Sequence, residues 1–272
     1  AAILGLLTLA PRIVVGSGGP RAARAAGWFI ALLILVIAFV GTQARSALFG
    51  ALLVFPAVLL LRYRESGRRW LAYSVWRKAS LAAIAVLVVS MIGVSLKLGS
   101  LRTAGEQAAV VLALRGDSNT PPDSSLVLRF NVNRFGIAKW LERPVFGWGP
   151  DAPEHLIAES RSPGLMAHTP KRGLAPLRQL HSEYLEIAVR FGLVGLLLAV
   201  ALAWVLLRAL WTAYRTGAAP RDYMLFLFGT LGLMALWSLF NSNAHKEDWQ
   251  NFWLLIAAAA YSFHLRVKGV RA

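Results

Sequence analysis

The sequence predicts an all-α fold, a polytopic transmembrane helical bundle of about six spans with one long extracytoplasmic loop containing short helices. Three observations predict it. The 272 residues are 57% hydrophobic and only 15% charged, with a mean hydropathy of +0.56, which is more apolar than a soluble domain of this size. The apolar residues gather into runs near the length of a bilayer crossing, about 17 to 25 residues. The basic residues lie in short patches between those runs, so the net charge of +16 reads as orientation in a bilayer and not as a nucleic-acid surface.

The runs can be taken in order. The first covers about 27–42 and the second about 47–61, with only Gln43, Ala44, Arg45 and Ser46 between them, which predicts a tight helical hairpin. The third is 79–96, the fourth about 184–207, the fifth about 223–240 and the sixth about 251–265. Residues 1–15 read as the end of an earlier span. The chain starts at Ala1 without an initiator Met and without the charged start of a signal peptide, so it reads as a fragment. The domains follow: 1–98 transmembrane helices, 99–182 a periplasmic loop, and 183–272 transmembrane helices with a cytoplasmic tail.

Orientation comes from the basic residues, because cytoplasmic loops keep an excess of Lys and Arg. Arg12, Arg21 and Arg24 precede the first span, Arg62 to Lys78 join the second and third, and Arg208, Arg215 and Arg221 join the fourth and fifth. The tail with Arg266, Lys268 and Arg271 shares that side, where the only acids are Glu65 and Asp222. These segments are expected in the cytoplasm, and 43–46, about 97–182 and 242–250 outside it. The long outer segment opens with turn residues, including Gly116, Asp117, Pro121 and Pro122, and continues as a helix over about 126–141 that ends before Pro144. Further turn-rich stretches follow around Gly147–Pro153 and 160–176. Such length and variety are more than a connector needs and point to function.

Cysteine is absent, which excludes a disulfide framework and a thiolate metal site and leaves the compartment undecided. His155 and His168 are scattered, no His/Asp/Glu spacing forms a metal site, and no cofactor is expected. A Gly-x-Ser-x-Gly elbow, a P-loop and a dinucleotide-binding glycine pattern are all missing. Two positions can carry chemistry. Arg45 is a fixed cation in a very short outer turn. It reads either as an arginine snorkelling to headgroups or, with Gln43 and Ser46, as a set of donors for phosphate oxygens. His181 stands at the outer mouth of the fourth span, where imidazole is either a bland amphipathic residue or a base able to take a proton from a hydroxyl near neutral pH. Glu183 and Glu186 are both candidates to orient it. Arg129 is one of several basic residues on the loop helix with Arg134, Lys139 and Arg143, and spacing alone does not single it out.

As an ordered set these residues resemble the O-antigen ligase and polymerase superfamily, in its C-terminal half. His181-Ser182-Glu183-Tyr184-Leu185 followed by Phe191-Gly192-Leu193-Val194-Gly195-Leu196 is similar to the family's His-Asn/Ser-x-Tyr-Leu mouth and Gly-Leu-x-Gly-Leu helix. Arg143-Pro144-Val145-Phe146-Gly147-Trp148-Gly149 resembles its Pro-Leu-hydrophobic-Gly-x-Gly turn. Arg129 stands where the family places an arginine about four helical turns before that proline, and Thr42-Gln43-Ala44-Arg45-Ser46 resembles its Thr-x-Ser-Arg hairpin. Two positions depart from the pattern: Asn133, where the family is often aromatic, and Ala44, where serine is usual. The likeness covers about residues 27–265, and family members commonly have more spans than this chain carries.

The resemblance implies a metal-independent, inverting membrane glycosyltransferase of the bacterial inner membrane with its site on the periplasmic side. The implied donor is an undecaprenyl-diphosphate-linked glycan, and the acceptor is a hydroxyl of a glycan, a lipid A core or a protein. It implies Arg45 and Arg129 on the diphosphate, His181 as base, and Gln43, Ser46, Tyr184 and Arg143 as substrate-binding residues. A transporter or flippase-like carrier of the same lipid-linked glycan, or a structural membrane subunit, are the competing classes; a carrier predicts midplane polar residues and broken helices.

Overall fold

The computed structural model describes residues 2–15, 21–41, 45–63, 125–169, 173–243 and 246–269. These residues are mostly helical: α1 (Ala2–Val15), α2 (Arg21–Gly41), α3 (Arg45–Tyr63), α4 (Ser125–Glu142), α5 (Ala152–Ser160), α6 (Glu183–Arg215), α7 (Arg221–Ser238) and α8 (Glu247–Val267). The third apolar run, 79–96, lies outside the described residues. The helix expected at about 126–141 is α4, and α2, α3, α6, α7 and α8 cover the runs expected at about 27–42, 47–61, 184–207, 223–240 and 251–265 with shifted bounds. The segment read as irregular at 160–176 instead holds a 3₁₀ turn, Pro163–Leu165, and an antiparallel pair, β1 (Met166–Thr169) and β2 (Gly173–Pro176), in the register Met166 to Pro176 and Thr169 to Gly173. Part of the stretch expected as turns around Gly147–Pro153 is the start of α5. Its start is fixed by Pro153, tolerated in a first turn whose N–H groups have no helical partner anyway, and its end by Arg161 in the left-handed region.

The chain forms two compact units. The first comprises Ala1–Leu96, Leu206–Trp237 and Trp253–Ala272. In it α2 buries Leu32 and Val36 against Ile3, Leu4 and Leu7 of α1, and Val54, Phe55 and Val58 of α3 join the same core. The Trp28 indole N–H donates to the Leu6 carbonyl at 2.9 Å. Gly229 of α7 lets Leu4 and Val58 come close, since a Cβ there would lie 2.6 Å from Leu4 Cδ2. Arg221, at the start of α7, donates to the Leu61 carbonyl at 2.7 Å and so covers an open acceptor near the end of α3.

The second unit comprises Lys97–Val205 and Ser238–Phe252. Its core is Val132, Ile157, Leu165, Leu180 and Val189, with Trp140, Trp148 and Leu185 packed on it. Gly136 brings α4 onto the first turn of α6 and the segment before it: a Cβ there would meet Leu185 Cδ2 at 2.7 Å and Leu180 Cδ1 at 3.1 Å.

Large apolar side chains also remain on the outside of the helices. Phe29, Ile30, Leu33, Ile34 and Ile37 form an exposed stripe on α2 opposite its packed face, and Leu197, Leu198, Val200, Leu202 and Trp204 are exposed on α6. Water would penalise such surfaces by about 25 cal/mol per Å², whereas lipid would not. Among the described residues, one helix is long and apolar enough to cross a membrane by itself: Glu183–Arg215, with a mean hydropathy of 2.5 over its most apolar window.

Candidate functional site

That long helix is not continuous. Gly192 has φ 62° and ψ −154°, a conformation essentially restricted to glycine, so the helical ladder breaks there. A break in an apolar helix strands amide and carbonyl groups, which are costly to bury unpaired. Here the turn after α4 supplies the partners. Leu193 and Val194 donate their N–H groups to the carbonyls of Pro144 and Val145 at 2.8 and 3.2 Å, while Trp148 and Gly149 donate to the carbonyls of Val189 and Arg190 at 2.8 and 2.9 Å. The turn is thus spliced into the helix, and contact is so close that side chains are excluded on both sides. A Cβ on Gly192 would lie 2.2 Å from the Val145 oxygen, and one on Gly147 2.6 Å from the Val189 and Arg190 oxygens. The two glycine-bearing motifs of the sequence therefore make a single structure.

Around this splice the turn is braced by its own side chains. The Trp148 indole N–H donates to the Lys139 carbonyl at 2.7 Å, the Trp140 indole N–H to the Pro144 carbonyl at 3.2 Å, and the Arg143 guanidinium lies 4.0 Å from the centre of the Trp148 ring. Arg143, expected to bind substrate, is thus an exposed residue stacked on Trp148.

Immediately before α6, His181 sits in the left-handed region with φ 56°, a placement histidine tolerates better than most residues. Its imidazole is half-buried. Burial first, and then the positive charge of Arg129, hold its pKa below the ordinary 6.5, so the neutral, proton-accepting form is favoured. Arg129 is on α4 two helical turns before Gly136, on the face that Gly136 packs onto Leu180 and Leu185. Arg129 and His181 thus lie within electrostatic reach of each other. Tyr184, exposed in the first turn of α6, belongs to the same unit. Arg45 and Ser46 open α3, but their side chains, like Gln43 as a whole, lie outside the described residues.

The acids near His181 act differently from the expectation that one of them would orient the imidazole. Glu186 is 2% exposed; its Oε1 accepts the Leu180 N–H at 2.7 Å and its Oε2 accepts from Arg190 Nε at 2.9 Å. Glu183 Oε2 accepts the Asn243 N–H at 2.8 Å. Both carboxylates thus fix backbone on either side of the histidine's neighbourhood. Glu186 was a candidate partner of the imidazole, but its pairing with Arg190 was missed; the available signal was an acid and a base four residues apart inside an apolar run.

Asn131 donates to the Gly164 carbonyl at 3.2 Å, tying α4 to the 3₁₀ turn. Asn133, at the position the family often gives an aromatic residue, has a buried Oδ1 with no hydrogen-bond partner. Among the described residues no group of three or more His, Cys, Asp and Glu side chains could hold a metal ion.

A family model described as O-antigen ligase matches residues 30–200, which span the spliced turn, Arg129 and His181. Comparison with curated proteins gives no match. With its membrane-length apolar helix and a match over more than half its length, the chain belongs to the O-antigen ligase family, a family of inner-membrane proteins linked to glycosyl transfer.

Proposed function

We propose that this chain carries the catalytic residues of an inverting, metal-independent glycosyltransferase that moves a glycan from undecaprenyl diphosphate to an acceptor hydroxyl at the periplasmic face. The observation that carries the reading is the juxtaposition of Arg129 with a half-buried His181 biased towards its neutral form. In the reaction the acceptor oxygen attacks the anomeric carbon from the face opposite the diphosphate, and the bond between that carbon and the diphosphate oxygen breaks. The electron pair leaves with the diphosphate, and the hydroxyl proton passes to the imidazole. Positive charge placed where anionic charge develops and a base within reach of the hydroxyl are the two effects such a step needs. Arg129 and Arg45 fill the first role, with Gln43 and Ser46 beside Arg45, and His181 the second. Tyr184 and Arg143 line the path of the substrate. Guanidinium groups do the work on phosphate that a divalent cation does elsewhere.

In this reading α2, α3, the run at 79–96, α6, α7 and α8 cross the bilayer, with 43–46, about 97–182 and 242–250 on the periplasmic side and 1–98 and 183–272 forming the membrane parts. Two contacts support that assignment. Arg221 meets Leu61, both expected on the cytoplasmic side, and Glu183 meets Asn243, both expected outside. The broken helix is the one feature that a carrier would also use. In carriers, however, the freed backbone groups bind cargo, whereas here the turn at Pro144–Gly149 takes them. That observation favours transfer over transport.

The test is complementation of a strain lacking the gene, with His181→Ala and Arg129→Ala matched to wild type for membrane abundance. Both should lose surface-glycan product and accumulate the undecaprenyl-linked donor, and wild-type membranes should keep their activity in EDTA. Undiminished product with His181→Ala would end the base assignment.

A further inference from the structure

We infer that Glu186 and Arg190 form a positioning pair that holds His181 in its working conformation through the backbone of Leu180; the inference rests on the transferase reading above. Leu180 is completely buried, and its N–H, directly before the histidine, has the Glu186 Oε1 as its acceptor at 2.7 Å. The other carboxylate oxygen is fixed by Arg190 Nε at 2.9 Å, so the buried carboxylate cannot rotate away without giving up its partly buried cation. His181 itself needs such a hold, because a non-glycine residue at φ 56° relaxes towards the ordinary regions unless its surroundings prevent it.

The pair reaches further than the histidine. The Arg190 carbonyl accepts the Gly149 N–H, and Gly149 belongs to the turn that closes α4, the helix carrying Arg129. Arg190 therefore reaches the segment bearing the base through its side chain and Glu186, and the turn that closes the helix bearing the arginine through its backbone carbonyl. The spacing between base and cation is set by a hydrogen-bonded path and not by the loop's own stiffness. An ion pair suits this task better than an apolar contact, since it is directional at both ends.

Single substitutions would leave one buried charge alone and confuse positioning with folding, so the test uses paired ones. Glu186→Gln with Arg190→Gln keeps an acceptor for the Leu180 N–H while removing both charges. Glu186→Leu with Arg190→Leu removes the acceptor too, and apolar replacement of a whole buried pair is commonly tolerated. Each is assayed in detergent with lipid-linked glycan extracted from cells deleted for the gene, beside His181→Ala. The expected result is that the leucine pair loses about a hundredfold in kcat with the donor KM held, while the glutamine pair keeps most of its kcat. Retained kcat in the leucine pair, or equal loss in both pairs, would overturn the inference. Should the leucine pair accumulate poorly, the methionine pair, with its more adaptable side chains, puts the same question. Turnover by His181→Ala would instead remove the base reading and this inference with it, whereas an inactive His181→Ala beside an unaffected leucine pair removes only the positioning role.

Discussion

Trp148 donates its backbone N–H to the Val189 carbonyl, an acceptor that in an unbroken helix would belong to Leu193. Leu193 in turn donates to Pro144, so the helix gives up its own bonds and receives equivalent ones from a segment more than forty positions earlier in the chain. A turn and a membrane-length helix thereby become one hydrogen-bonded object, with Arg129 and His181 attached to its two halves.

Gly192→Ala should be among the most damaging small substitutions in the protein. It places a Cβ against the Val145 carbonyl and forces alanine into a glycine-only conformation, together costing on the order of 3 kcal/mol or more. Thermal denaturation of the detergent-solubilised protein should show a clear fall in midpoint. An unchanged midpoint would mean that the splice is not formed.

Arg143→Ala separates stacking from substrate binding. If Arg143 contacts the donor, the KM for lipid-linked glycan should rise by about three- to tenfold with kcat preserved, corresponding to roughly 1 kcal/mol of uniform binding. Loss of the ring contact alone should cost stability by about 0.5 to 1 kcal/mol at an exposed position and leave KM where it was.

The pH profile follows from the sign of the His181 shift. A base works when neutral, and a pKa lowered by burial and by Arg129 keeps it neutral further into acid. The acid limb of kcat/KM is therefore expected below pH 6.5. In Arg129→Gln the charge contribution disappears and the limb should move towards higher pH in whatever activity remains. A limb that stays in place would disconnect the two residues.

Asn133→Leu should stabilise the second unit by about 1 kcal/mol, because it removes a buried carbonyl oxygen that has no partner. A raised unfolding midpoint is the expected reading. A fall would mean that the oxygen is satisfied in the working protein, and would redirect attention to Asn133 as a contact of α4.

Most helices were legible from apolar runs, because period and length report the packing of a helix face directly. His181 stood out by its place at the mouth of a span, whereas Arg129 entered only as a member of an ordered motif; spacing did not distinguish it from Arg134 or Lys139. Gly192 was read as a small residue within a continuous helix. Periodicity carries no information about a break whose cause is a turn elsewhere in the chain, although Arg190 within an apolar run was a sign that something polar had to be met there. Glu186 was weighed as a partner for the imidazole and lacked the right spacing. Its real partner is the Leu180 backbone, and that depends on the left-handed turn at His181, which side-chain patterns do not encode. The β1–β2 pair escaped because Pro163, Gly164, Pro170, Gly173 and Pro176 read as loop punctuation around two very short strands.

The break at Gly192 also divides α6 for the machinery that inserts it. Leu193–Arg215 alone is long enough for a hydrocarbon core of about 30 Å, so in the transferase reading the stretch with Glu183, Glu186 and Arg190 need not lie within it. Its charges can stay at the margin while the apolar portion is threaded. The turn at Pro144–Gly149 precedes α6 in the chain, so the partners of the broken ladder are synthesised before the break itself.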